Sequence, residues 1–276
     1  MASDRAIGVF DSGVGGLSVL REIRRELPFE HLLYVADSGY APYGDRPAAF
    51  VQHRSRTVVE FLIGQGAKAV VVACNTATAV AVDSLRSAFT VPVIAIEPAV
   101  KPAAATTRSG VVGVLATTNT LASAKFSKLV EQYADGASVL TQASPGLVEQ
   151  VESGELSGER TRALVERYVD PLLEEGADTL VLGCTHFPFL TPLIQEVAGP
   201  NVAVIDPAVA VARELRRRLK TAALLSTSTT PGWEQFWTSG PVETIGPIMS
   251  RLWGRDVNVS AFPEEAPEPR ATRRGP

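Results

Sequence analysis

Cys74 and Cys184 are the only thiols in the 276-residue chain, and they stand 110 residues apart in segments that match each other. Gly66-Ala67-Lys68-Ala69-Val70-Val71-Val72-Ala73-Cys74-Asn75 is echoed by Gly176-Ala177-Asp178-Thr179-Leu180-Val181-Leu182-Gly183-Cys184-Thr185. Each thiol ends an apolar run that reads as a strand and precedes a helical pattern. A cysteine at a helix start feels the positive end of the dipole, which is expected to lower its pKa from about 8.5 and favour the thiolate. Either cysteine alone reads more readily as core packing, since free Cys is among the most buried residue types. Their equivalent placement in a duplicated unit points instead to paired bases. Two such bases on opposite walls of a cleft suit racemisation: one removes an α-proton while the conjugate acid of the other protonates the opposite face.

Removing a proton next to a carboxylate requires donors that stabilise the developing negative charge. Asn75-Thr76 and Thr185-His186 supply them beside the two thiols, and Asp11-Ser12, at the end of the first strand, can orient groups or accept protons. These residues have structural alternatives. Asp11-Ser12-Gly13 also reads as a tight turn with an N-cap, and His186, ahead of Phe187-Pro188, as a helix-start residue. Tyr40-Ala41-Pro42-Tyr43-Gly44 would give an aromatic rim and backbone donors on the first cleft face, or simply a turn that packs a tyrosine.

Neither a cofactor nor a metal is expected. Gly13-Val14-Gly15-Gly16 lacks the third glycine of a dinucleotide fingerprint and the Gly-Lys-Ser/Thr of a phosphate loop. None of Lys68, Lys101, Lys125, Lys128 and Lys220 has the setting of a Schiff-base lysine. There is no CxxC and no Cys/His cluster spaced for zinc.

The elements that must position these groups are short apolar runs at Ala6–Phe10, Leu32–Ala36, Ala69–Ala73, Val91–Ile96, Val111–Leu115, Ser138–Thr141, Thr179–Gly183 and Val202–Ile205, with helical patterns between them. Continuous apolar strands separated by helices require a parallel sheet covered on both faces, with ligands at the strand C-terminal ends. Two further echoes support duplication. Glu97-Pro98-Ala99-Val100 returns as Asp206-Pro207-Ala208-Val209, and Ile7-Gly8-Val9-Phe10-Asp11-Ser12 as Val112-Gly113-Val114-Leu115-Ala116-Thr117. The predicted fold class is therefore α/β: two pseudo-symmetric doubly wound domains with mainly parallel sheets and an interdomain cleft. The first domain is expected over 1–96 plus 208–262 and the second over 97–207. The stretch Leu224–Phe262 has no counterpart in the repeat and is expected to pack back on the first unit. Residues 263–276, rich in Pro, Glu and Arg, read as a disordered tail.

At 45% hydrophobic and 20% charged residues the chain can bury a full core. Its net charge of −4 argues against a nucleic-acid footprint. A short polar start and the lack of any apolar run near the ~20 residues of a bilayer span predict a cytoplasmic protein without membrane insertion.

Gly8-Val9-Phe10-Asp11-Ser12-Gly13-Val14-Gly15-Gly16-Leu17, Ala36-Asp37-Ser38 leading to Pro42-Tyr43-Gly44, Ala73-Cys74-Asn75-Thr76-Ala77-Thr78 and Gly183-Cys184-Thr185-His186-Phe187-Pro188 together resemble the glutamate racemases of the aspartate/glutamate racemase family, over residues 6 to 210. The resemblance implies a cofactor-independent, often dimeric enzyme that interconverts L- and D-glutamate, the D form feeding peptidoglycan synthesis. It implies that Cys74 acts on D-glutamate and Cys184 on L-glutamate, assisted by Asp11 and His186 respectively. It places Ser12, Pro42, Tyr43, Gly44, Asn75, Thr76, Thr117, Thr120 and Thr185 at the substrate, and Glu152 near its ammonium group. Glu149, one helical turn earlier, competes for that last role. Ala116 stands where the family usually has Gly, and Ser144 where it often has Cys.

Three other readings compete. One is a sister racemase acting on aspartate or a hydantoin. The second is a two-lobed binding module with inert buried cysteines. The third is a Cys184/His186 hydrolase, which would leave Cys74 idle.

Overall fold

The strongly β-branched and apolar runs form ten strands in a computed structural model that describes residues 4–134 and 136–263. They are β1 (Ile7–Asp11), β2 (Leu32–Ala36), β3 (Ala69–Val72), β4 (Val93–Ala95), β5 (Val111–Ala116), β6 (Ser138–Ala143), β7 (Thr179–Gly183), β8 (Ala203–Ile205), β9 (Glu234–Thr238) and β10 (Val259–Ala261). All pairings between them are parallel. The chain is α/β with two sheets, as its sequence predicts.

The first sheet has the order β10-β9-β2-β1-β3-β4 and the second β6-β5-β7-β8. The core order β2-β1-β3-β4 therefore recurs as β6-β5-β7-β8, which is the structural form of the sequence duplication. In each sheet the order reverses between the first strand and its third-strand neighbour, so a crevice opens at their carboxyl ends. Asp11-Ser12 and Cys74 occupy that edge of the first sheet, and Ala116-Thr117 and Cys184 that of the second.

Strands β1, β2, β3 and β7 are buried along their whole length because helices cover both faces. Each fully buried Val, Ile or Leu there contributes roughly 1.5–3 kcal/mol. The helix Ala208–Thr221 buries Ala208, Val211, Ala212, Leu215 and Leu219 at helical spacing, with Arg213, Glu214, Arg216, Arg217 and Arg218 on the other side. It follows the last strand of the second sheet yet packs against the helix Leu17–Glu26 of the first. Reciprocally, the helix Val100–Thr106 follows the first sheet and packs on β5 and β7. The echoed Glu97-Pro98 and Asp206-Pro207 segments lead into these two crossing helices.

The segment without a repeat counterpart supplies β9 and β10, and β9 pairs with β2 from Leu32↔Glu234 to Ala36↔Thr238. It packs on the first sheet as expected, with Phe236 edge-on to Tyr34 and Trp237 edge-on to Phe61. The expected tail, apart from Pro263, lies outside the described residues. Among the described residues no helix is long and apolar enough to cross a membrane.

Candidate active site

Cys74 caps the helix Asn75–Ala88, its Sγ accepting a hydrogen bond from Ala77 N at 3.4 Å. Ser12 Oγ lies 3.6 Å from the same sulfur. The expected lowering of this thiol's pKa is not what the environment produces. Burial and the nearby Asp11 carboxylate push the Cys74 thiol well up, and the Ala77 N–H and Ser12 only partly offset them. The helix dipole loses here to desolvation.

On the opposite wall, Cys184 Sγ lies 3.7 Å from His186 Nδ1, and His186 Nε2 lies 2.6 Å from Glu152 Oε1. Burial alone would pull the His186 imidazole down. Its contacts with Cys184 and Glu152, with Asp11 Oδ2 4.0 Å from Nδ1, more than reverse that and hold it well above the ordinary histidine value. Asp11 accepts from Gly16 N at 2.9 Å and from Thr185 Oγ1 at 3.3 Å. Burial raises its carboxyl group above the usual range, against the opposing pull of His186.

Both cysteines face one narrow cavity. Ser12, Pro42, Tyr43, Gly44, Asn75, Thr76, Thr117, Thr185 and His186 complete its wall, together with Val148. Asn75 Nδ2 and Oδ1 are buried and have no partner among the described residues, so this wall holds a donor and an acceptor that a polar ligand would satisfy. Thr76 Oγ1 and Thr117 Oγ1, from the two halves, are 2.9 Å apart across the seam, and Thr120 Oγ1 lies 2.9 Å from Thr117 Oγ1.

Asp11, Thr120 and Glu152 stand one layer behind the cavity. Glu152 rather than Glu149 enters the site: Glu149 is exposed, whereas Glu152 Oε1 accepts from Val14 N at 2.6 Å and Oε2 from Ser38 Oγ at 2.9 Å. These contacts give the glycine run its purpose. A Cβ on Gly13 would stand 1.9 Å from Glu152 Oε1, and one on Gly15 would stand 2.3 Å from His186 Nδ1. The loop is glycine-rich so that backbone can touch the histidine and the carboxylate, not to cradle a phosphate. Of the turn-type alternatives, the helix-start one holds, His186 standing at the N-terminus of the short helix Phe187–Leu190, whereas Gly13 and Gly16 precede the helices after Asp11 and no side chain caps them; Asp11 Oδ2 accepts from Gly16 N instead.

The loop bearing Pro42, Tyr43 and Gly44 is fixed by a buried cluster that sequence reasoning did not single out. Arg54 donates from Nη2 to Asp37 Oδ1 at 2.7 Å and from Nε to Oδ2 at 3.0 Å, and the Tyr43 hydroxyl donates to the same carboxylate. The two departures from the family pattern are accommodated. Ala116 packs against Gly183, where a Cβ would stand 2.9 Å away, and Ser144 donates to Gln142 O at 3.1 Å. Among the described residues, no group of three His, Cys, Asp or Glu side chains is arranged to hold a metal ion.

A family model described as Asp/Glu/Hydantoin racemase matches residues 7–215. The chain is 58% identical over 261 residues to a glutamate racemase of Methylococcus capsulatus, covering 95% of this chain and 96% of that one. It superposes with a TM-score of 0.87 and 36% identity on a glutamate racemase isoform of Bacillus anthracis, over 95% of this chain and 98% of that one. The Escherichia coli glutamate racemase, solved in complex with L-glutamate, gives a TM-score of 0.82 and 31% identity over 94% of this chain and 98% of that one. With two thiols at equivalent strand ends facing one cavity, and with matches that span most of the molecule, the chain belongs to the Asp/Glu/Hydantoin racemase family.

Proposed function

We propose that this protein interconverts L- and D-glutamate without a cofactor, by a two-base exchange between Cys74 and Cys184. The observation that carries this reading is that both thiols face one narrow cavity, each beside its own polar partner. In the D-to-L direction, the Cys74 thiolate takes the α-proton and the Cys184 thiol delivers its proton to the opposite face. The reverse direction exchanges these roles.

The raised pKa of Cys74 fits the task. A thiolate that is costly to form in a dry site is a strong base once formed, and the α-proton of an amino acid is a weak acid. Asp11, with Ser12 beside the sulfur, serves the Cys74 side. His186, held by Glu152, gives or takes the proton of Cys184. Asn75, Thr76, Thr117 and Thr185, with Ser12 and the loop Pro42-Tyr43-Gly44, bind the substrate's charged ends through hydroxyl, amide and backbone groups, and Thr120, behind the wall, acts through its hydrogen bond with Thr117. Glu152, whose oxygens already hold His186, Val14 and Ser38, acts through the imidazole and adds negative charge to favour the ammonium group.

This reading takes 1–96 with 208–262 and 97–207 as the two domains that form the cleft. It also includes a homodimer in the cytoplasm that supplies D-glutamate for peptidoglycan. Glutamate is favoured over aspartate because the relatives at high identity and coverage are named glutamate racemases. The test is to incubate dialysed protein with D-glutamate and with D-aspartate, following optical activity. Decay of the glutamate signal alone supports the assignment, decay of the aspartate signal alone assigns the sister activity, and neither decay contradicts a racemase of either acid.

A further inference from the structure

Most of the cavity wall is shielded from solvent. Ser12, Tyr43, Cys74, Asn75, Thr76, Cys184, Thr185 and His186 are all buried. A charged amino acid reaches the thiols only if the walls part, so what holds the walls together bears on binding. Hydrogen bonds cross the seam at several points. Thr76–Thr117, Thr185–Asp11 and Glu152 with Ser38 and Val14 belong to the machinery already described, and Ser18 with Thr185 O, Lys125 with Asp83 and Arg251 with Gly154 O do not touch the loop at the site. One further contact does. Asn119, half-buried in the short helix Thr118–Leu121 that follows β5, donates from Nδ2 to Tyr43 O at 3.1 Å and to Arg46 O at 2.9 Å. The loop it grips carries Pro42, Tyr43 and Gly44, and Asp37 and Arg54 lock that loop to the first sheet from the other side.

We infer that Asn119 is a positioning residue: an amide latch through which the second half holds the 42–46 loop closed over the substrate. The inference rests on the racemase reading for its kinetic consequence, and not for its structural one. A primary amide suits the role because its two N–H groups can satisfy two carbonyls at once. Alanine offers no donor, and a carboxylate would face the same two carbonyls with like polarity. Losing the latch shifts the open–closed balance toward the open form, which weakens apparent binding by the loss in closed population and leaves the chemistry of the closed form intact.

The experiment compares wild type, Asn119→Ala, Asn119→Asp and, as a neighbouring control, Thr118→Ala, in two assays. The first is the rate at which iodoacetamide labels Cys74 and Cys184 in the native, ligand-free protein, which follows the open population and needs no substrate. The second is the split of KM and kcat for glutamate. The latch predicts that Asn119→Ala accelerates labelling of both thiols and raises KM by roughly three- to thirtyfold, the scale of one or two lost hydrogen bonds, with kcat changed by no more than about twofold. Asn119→Asp goes further in the same direction, and Thr118→Ala matches wild type. Faster labelling in a protein that does not act on glutamate keeps the latch and removes the substrate assignment. Unchanged labelling in Asn119→Ala and Asn119→Asp overturns the latch, whatever the kinetics show.

Discussion

Glu152 Oε1 lies 2.6 Å from His186 Nε2 while accepting Val14 N–H at 2.6 Å, so one carboxylate oxygen joins the glycine loop of the first half to the histidine of the second. This contact is among those that hold the imidazole above its ordinary pKa. Replacing Glu152 with Gln keeps a polar side chain of the same size and removes the charge. kcat/KM is expected to fall roughly ten- to hundredfold, the scale of one charge-assisted hydrogen bond. Any inflection of the rate profile due to His186 is expected to move to lower pH. An unchanged profile would detach Glu152 from the chemistry.

Stability should report the same group. His186 has a folded-state pKa above its ordinary value of 6.5, so its contribution is fully present below that pH and is lost as pH rises through the folded value. The thermal midpoint of wild type relative to His186→Asn is therefore expected to fall as pH increases from 6.5 upward. Cys74 carries the same sign at higher pH: its thiol is raised, so wild type loses stability relative to Cys74→Ala as pH climbs past the ordinary thiol range. A gap between wild type and His186→Asn that widens with pH would contradict the assigned direction.

The close approach of backbone to the site sets a steric test. Gly13→Ala places a methyl group 1.9 Å from Glu152 Oε1, and Gly15→Ala places one 2.3 Å from His186 Nδ1. Each is expected to cost about 1–3 kcal/mol of stability, the range for overpacking, and to displace the histidine pair. Chemical denaturation with parallel rate measurements checks this. Near-wild-type rates in both variants would show that the loop does not shape the site.

Arg54 tests the support of the substrate loop. Arg54→Ala leaves the fully buried Asp37 carboxylate without its bidentate partner. Breaking a buried pair in this way typically costs about 3–5 kcal/mol. The variant is expected to melt well below wild type and to bind substrate poorly through Tyr43 and Gly44, as read by calorimetry and KM.

The architecture was legible because each buried parallel strand is a continuous apolar run, and the duplicated Ala-Cys/Gly-Cys ends mark where those runs meet the crevice. Strands β9 and β10 were not. Glu234-Gln235-Phe236-Trp237-Thr238 opens with two polar residues and becomes a strand through its pairing with β2 and its aromatic contacts, which are tertiary facts. The cavity wall was readable for the same reason as the cysteines: its residues follow strand ends. What acts from behind the wall was less so. The glycine run shows its meaning only with Glu152 and His186 against it, the Asp37–Arg54 pair spans a strand end and a helix, and the net direction of the Cys74 shift depends on burial that sequence does not display.

Cys74→Ala and Cys184→Ala are each expected to lower racemisation by at least about a thousandfold, equivalent to roughly 4 kcal/mol of barrier. The serine variants should retain partial exchange. Full activity in either alanine variant would remove the two-thiol account.

The most direct measurement is the early phase of reaction with D-glutamate in deuterium oxide, with the enantiomers separated and their α-deuterium read by mass spectrometry. Two bases on opposite walls predict L-glutamate carrying one α-deuterium from the first turnovers, while the remaining D-glutamate stays unlabelled. Unlabelled L-glutamate, or label entering the D-glutamate pool as fast as it enters the product, would show a single base serving both faces and would contradict the account.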